Sequence, residues 1–396
     1  MGNPSENLTE VLSDHAGASS ASLALDTTAG SILHRLAGYH LLAQSKFPSV
    51  AVIYIAAAAV TYVPLILAAW LNHRLTPTLT LLLPFLYDWN VAFMFVVSFP
   101  LLLVLTITDQ RTLATSLRQV QLDGIVSVPD DSATSLSSIW RRKFRSINIF
   151  AQTCGMGIGG TIAFINYTIY RPGVGYWTTT QDHRLPAGLV FLCCIFLFYS
   201  LVPIYVLRSF AISLFLKDVV AHAEIRMLPF HPDKSAGLRP VGHLGLRNQY
   251  ALTVCGLNLV LLVLISHRYL PNLSPLHGLM IAAGVAYVIL GPLVFIGPLL
   301  PFRAAMLRTK TELMSEVAQR LRIELQRLRK QLASGPITKE DEKLIDRLRK
   351  IGAVFNELPV WPFDAGTLRK FLTAYVIPVL GAIGFPLAQL VFPKLK

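Results

Sequence analysis

The residues best equipped for chemistry stand between positions 222 and 243: His222, Glu224, the run His231-Pro232-Asp233-Lys234-Ser235-Ala236-Gly237-Leu238, and His243. Imidazoles and carboxylates bind divalent metals and pass protons. His231 and Asp233, joined by His243 or by His222 and Glu224, therefore supply the ligand types of a metal or hydrolase site. Their spacing matches no established signature, and the sequence places no nucleophile or bound water beside them. The same residues also make a turn, with Pro232 fixing φ, Asp233 accepting backbone amides and Gly237 supplying a positive φ. His231, Asp233, Gly237 and His243 form a candidate functional loop to which no catalytic role, metal or cofactor is assigned.

Other polar residues fall inside apolar runs: Asn90, Gln152, Asn166, Gln249, Asn258 and Gln389, with Asp88 at the mouth of the second run. Of these, Asp88, Asn90, Asn166 and Asn258 are expected to make polar contacts within a bundle, where such amides pair across helices. The glycines 155, 157, 159 and 160 suit close helix approach, and a nucleotide-binding loop would need a preceding strand. Cys154, Cys193, Cys194 and Cys255 lie in apolar surroundings without zinc-site spacing and read as small buried hydrophobes.

The elements that carry these residues follow from composition. The chain is 53% hydrophobic and 14% charged, against roughly 25% charged in a soluble domain, so the apolar excess calls for lipid. Seven runs are long enough to cross ~30 Å of hydrocarbon: about 49–71, 89–108, 147–170, 186–207, 249–266, 278–300 and 371–393. None contains Asp, Glu, Lys or Arg. The fold expected is all-α, a bundle of about seven transmembrane helices with a cytoplasmic helical hairpin. Pro378, Gly381, Gly384 and Pro386 leave the last run either a kinked span or a re-entrant hairpin.

Of the 35 Lys and Arg residues, 29 fall in the N-terminal tail and the second, fourth and sixth loops, and 6 in the others. By the positive-inside rule the N-terminus is cytoplasmic. Without ionisable residues in any run, ion- or proton-coupled transport is disfavoured.

Residues 1–30 are expected to be a disordered tail, followed by a six-helix region over 31–300 whose first part, around Ile32, Leu36 and Leu41, forms a short interfacial helix. Residues 301–357 form the hairpin and 358–396 the seventh segment. In the first arm Met314, Ala318, Leu321, Leu325, Leu328 and Leu332 repeat at steps of four and three, a coiled-coil seam. Leu344, Leu348, Ile351 and Phe355 do so in the second, after a stop at Ser334-Gly335-Pro336. The arms either bury their seams on each other or make a dimerisation surface. Their excess of Lys and Arg suits anionic lipid headgroups rather than nucleic acid.

Three stretches, Asp88-Trp89-Asn90-Val91 to Phe99-Pro100-Leu101-Leu102, His231-Pro232-Asp233 to Gly237-Leu238, and Leu290-Gly291-Pro292-Leu293 to Pro298-Leu299-Leu300, occur in that order. Together they resemble a group of uncharacterised bacterial multi-pass membrane proteins with an HPDxxGGL-like loop between two spans. Ala92 and Met94 stand where that group commonly has His and Arg, and Ala236 replaces a Gly. The group has no assigned activity, so the resemblance implies the multi-pass architecture and a bacterial inner-membrane location only. His-Pro-Asp also resembles the loop of J-domain co-chaperones, but the soluble helices of that domain have no room here. A pore, a facilitator or a scaffold, with a homo-oligomer as one form, is expected ahead of a membrane enzyme acting through the His/Asp loop.

Overall fold

A chain in lipid must satisfy its backbone amides internally, and helices do so within one segment. Among the described residues, six helices are long and apolar enough to cross a membrane: α1 (Val50–Leu71), α2 (Trp89–Leu122), α3 (Asp130–Ile169), α4 (Pro186–His222), α5 (Arg239–Tyr269) and α6 (Ser274–Ile296). Three more follow, α7 (Leu300–Leu332), α8 (Lys339–Asn356) and α9 (Ala365–Val379). The protein is an all-α multi-pass membrane protein. This computed structural model describes residues 50–78, 81–169, 175–180, 183–227, 231–269, 274–332 and 339–381. The N-terminal tail, the interfacial helix, the turn at 333–338 and the last segment beyond Gly381 lie outside the described residues.

The six helices coincide with the first six apolar runs, and α2, α3, α4 and α5 outgrow them. At 40 and 37 residues, α3 and α4 are about 60 and 55 Å long at 1.5 Å per residue, nearly twice a hydrocarbon core. The polar stretch Asp123 to Ser138 is accordingly no open loop. It holds a two-residue strand β1 (Val126–Ser127), paired antiparallel with β2 (Glu224–Ile225), and then the start of α3. The basic cluster lies on that helix, where Lys143 stands over the Trp140 ring and Trp140 Nε1 donates to Asp218 of α4 at 3.0 Å. Three apolar clusters result among the described residues, two of them large. One gathers Leu65, Phe95, Trp177 and Phe198, and the other gathers Leu117, Trp140, Phe215, Leu238 and Phe302 at the extended ends.

Half of the glycine run makes the antiparallel α3–α4 contact. A Cβ on Gly155 would lie 2.6 Å from the Ser200 carbonyl oxygen, and one on Gly159 2.7 Å from that of Phe196, whereas Gly157 and Gly160 face open space.

Proline inside a helix leaves the carbonyl four residues earlier without its amide donor. Three such carbonyls are taken by hydroxyls of neighbouring helices. Tyr54 donates to Val96 O at 2.7 Å (Pro100), Tyr375 to Val288 O at 2.9 Å (Pro292), and Thr253 to Ala374 O at 3.0 Å (Pro378). The prolines thus create sites at which α1–α2, α9–α6 and α5–α9 are tied together.

Helix α9 starts at its N-cap Asp364, whose carboxylate accepts the Thr367 amide at 2.8 Å. It runs parallel to α5, with Ala374 beside Thr253, Pro378 beside Gly256 and Gly381 beside Val260. Helices α7 and α8 pack antiparallel, pinned where Lys310 Nζ donates to Asn356 O and Leu358 O. Their contact corrects the heptad expectation in part. Leu328 and Leu348 are buried, but Leu325 is 49% and Ile351 44% exposed, and Ala318 is exposed as well. A straight helix of 3.6 residues per turn presents Val317, Leu321 and Leu328 on one face, so a strict seven-residue seam drifts off the contact.

Candidate functional site

At one end of α2 the Asp88 carboxylate is buried. It accepts the Val91 amide at 3.1 Å, the Trp177 indole N–H at 3.2 Å and the Tyr176 hydroxyl. Trp177 is itself fully buried, edge-on to Phe85 and Phe191. The loop ahead of α4 is therefore clasped onto the start of α2.

About 30 Å along the same helix at 1.5 Å per residue, Asp109 is the second buried acid. Its Oδ2 lies 3.8 Å from Arg208 Nη2 of α4 and its Oδ1 3.9 Å from Arg247 Nη1 of α5. The side chains are 9%, 4% and 15% exposed. Arg247 is held from behind, since its Nη2 donates to Leu105 O at 2.8 Å and to Thr108 Oγ1 at 2.6 Å. Next to it Asn248 accepts the Tyr205 hydroxyl at 2.9 Å. This layer lies between the two large apolar cores, with Leu102 and Leu201 on one side and Leu113 and Ile212 on the other.

The apolar runs end one residue before Asp109 and Arg208 and begin two residues after Arg247, so the sequence placed all three in loops. The helices continue through them. The premise that the bundle carries no ionisable residues is thereby overturned for its interior.

The layer is poorly explained as a stabilising device. Each attraction is worth about 4 kcal/mol at an effective dielectric of ~20. The two guanidiniums repel each other, and removing each of three ions from water costs several kcal/mol. Replacing a buried ion cluster by apolar side chains is commonly neutral or stabilising.

In the loop singled out by sequence, His231 Nδ1 lies 2.7 Å from Asp233 Oδ1. Asp233 also accepts the amides of Ser235 at 2.9 Å, Gly237 at 3.0 Å and Arg239 at 3.2 Å, capping α5. Burial pushes its carboxyl up, but these amides and His231 outweigh that and hold it below the usual carboxylate range. Gly237 takes φ +89°, and Lys234 and Ala236 take the left-handed values 56° and 53°. A Cβ on Gly237 would run into Ile125 Cδ1. Asp233 is thus engaged in shaping the turn.

His243 is exposed on α5 near Arg239, Lys370 and Asp364. Likewise exposed, His222 meets its own helix at Asp218 O, and Glu224 pairs with Arg226 at 3.1 Å. No three His, Cys, Asp or Glu residues gather as metal ligands among the described residues.

Asn166 donates to Ile162 O of its own helix. Asn90 Oδ1, Asn258 Oδ1 and both amide atoms of Gln249 are buried without hydrogen bonds among the described residues. Comparison with protein-family models, curated proteins and solved structures returns no match for this chain.

Proposed function

We propose that the protein is a non-enzymatic membrane facilitator whose passage is controlled at the layer of Asp109, Arg208 and Arg247. The observation that carries this reading is the burial of three ionisable side chains from three helices at one level of the bundle. Charges in such places are costly and mark ion or substrate pathways. The membrane-enzyme alternative is weaker because the Asp233 carboxylate accepts three backbone amides of its own turn. A scaffold is the second reading. The exposed Leu325, Leu344 and Ile351 on α7 and α8 favour it, and it implies a homo-oligomer and contact with anionic lipid headgroups.

The setting proposed is a bacterial inner membrane, in keeping with the resemblance of the His-Pro-Asp loop region to uncharacterised bacterial proteins. The N-terminus and the α7–α8 hairpin lie in the cytoplasm, on the strength of the charge asymmetry. A seventh span is supported by the course of α9, which runs parallel to α5 as far as Val260. Reporter fusions test the topology: one after Leu270 should read outside and one after Leu332 inside, and the reverse pattern refutes the orientation. A fusion at Lys396 should read outside if the last segment spans.

Function is tested by flux into proteoliposomes. Purified protein should raise permeability to small ions above that of protein-free vesicles, and Arg208→Gln should abolish the increase. The double variant His231→Ala, Asp233→Ala should retain it, whereas an enzyme acting there would be silenced.

A further inference from the structure

Two guanidiniums face the one Asp109 carboxylate, and the formal charges of these three side chains sum to one positive unit. Arg–carboxylate pairs of full strength close to about 2.7–2.9 Å and are often bidentate. Here both approaches are 3.8–3.9 Å, and Arg247 Nη1 is buried without a hydrogen bond among the described residues. Arg247 cannot turn toward Asp109 without giving up Leu105 O and Thr108 Oγ1, which hold its other nitrogen. The Asp109 carboxylate therefore sits in a cationic slot that it fills loosely.

We infer that this slot binds a small singly charged oxoanion or carboxylate, and that Asp109 occupies the anion's place in the closed state. A monoanion replaces the single negative charge that Asp109 supplies, and its oxygens suit the planar fork of guanidinium donors. Asp109 then acts as a tethered competitor that must swing aside for the anion to enter. The slot takes one carboxylate group between two arginines, which limits the ligand to about the size of formate, nitrate or acetate. This inference rests on the facilitator reading and names its substrate class.

The test is a thermal-stability titration of the detergent-purified full chain with sodium formate, sodium nitrate and short-chain phosphatidylglycerol, beside formate flux into proteoliposomes. Formate and nitrate should stabilise the wild type saturably. Asp109→Asn should lower the half-saturating formate concentration about tenfold, and Arg247→Gln should raise it at least as much, tenfold being the effect of ~1.4 kcal/mol of binding energy. Arg247→Lys keeps the charge but loses the fork, and should weaken formate binding even if Asp109→Asn fails to fold. His243→Ala should change nothing.

Stabilisation by phosphatidylglycerol alone overturns the small-anion assignment in favour of a lipid headgroup, and no anion effect on the wild type overturns it outright. Formate binding without flux keeps the site and removes the facilitator reading. Flux that is indifferent to ion sign and to the arginine variants keeps facilitation and removes the anion site.

Discussion

Alanine at Gly159 or Gly155 should separate α3 from α4, while alanine at Gly157 or Gly160 should not. The obstacles that cannot rotate away are backbone oxygens, at 2.7 Å from a Cβ on residue 159, where the Ser200 hydroxyl lies closer still, and 2.6 Å from one on residue 155. Close helix pairs tolerate C···O approaches of about 3.3 Å, so α4 must retreat by roughly 0.6 to 0.7 Å along much of a long contact. Overpacking of this kind costs about 1–3 kcal/mol, and the better helix propensity of Ala returns up to ~1 kcal/mol. Gly157 and Gly160 have nothing within 4 Å, so their Ala variants gain the propensity without the clash. Thermal unfolding in detergent should show the 155 and 159 variants several degrees less stable than wild type and the 157 and 160 variants equal or slightly more stable. Equal losses at all four positions, or a larger loss at Gly157, would refute the assignment of the contact face.

Removing the hydroxyl that serves a proline-freed carbonyl, as in Tyr54→Phe, Tyr375→Phe or Thr253→Val, should cost about 0.6 kcal/mol each and at most ~1.7, the average and the maximum for hydrogen bonds between membrane helices. Stability unchanged in all three would mean those carbonyls find other donors. Ala236→Gly should raise stability by about 1 kcal/mol by relieving a left-handed alanine, whereas Gly237→Ala should destabilise through both its φ of +89° and the Ile125 side chain. A melting curve for each variant decides the sign. Asp233 has a carboxyl held below its ordinary value, so the stability it contributes is complete above ~3.9, the unfolded value, and is lost as pH falls through the folded one. Wild type should therefore lose melting temperature below about pH 4 more steeply than Asp233→Asn. Parallel pH profiles would contradict the capping account.

The parts of the fold set by composition and local pattern were legible. Six apolar runs became six helices, and the His-Pro-Asp stretch became a turn whose aspartate and glycine act as their residue types suggest. The charge layer was not legible, because a hydropathy run ends at the first charged residue. Asp109, Arg208 and Arg247 each stand at such an end, and only the packing of α2, α4 and α5 shows that the helices carry them inward. Nothing local signals that Tyr54, Thr253 or Tyr375 faces a particular orphan carbonyl, since each pairing joins distant parts of the chain. The heptad in α7 misled for a different reason. Leu325 completes the repeat, but one straight helix meeting another buries a 3.6-residue face, and the leucine is left outside it.

The most direct measurement is formate efflux from proteoliposomes containing the wild-type chain, with Arg208→Gln and Asp109→Asn as variants. The account predicts efflux above protein-free vesicles, its loss in Arg208→Gln, and a lower half-saturating formate concentration in Asp109→Asn. Wild-type efflux no faster than that of protein-free vesicles would contradict it.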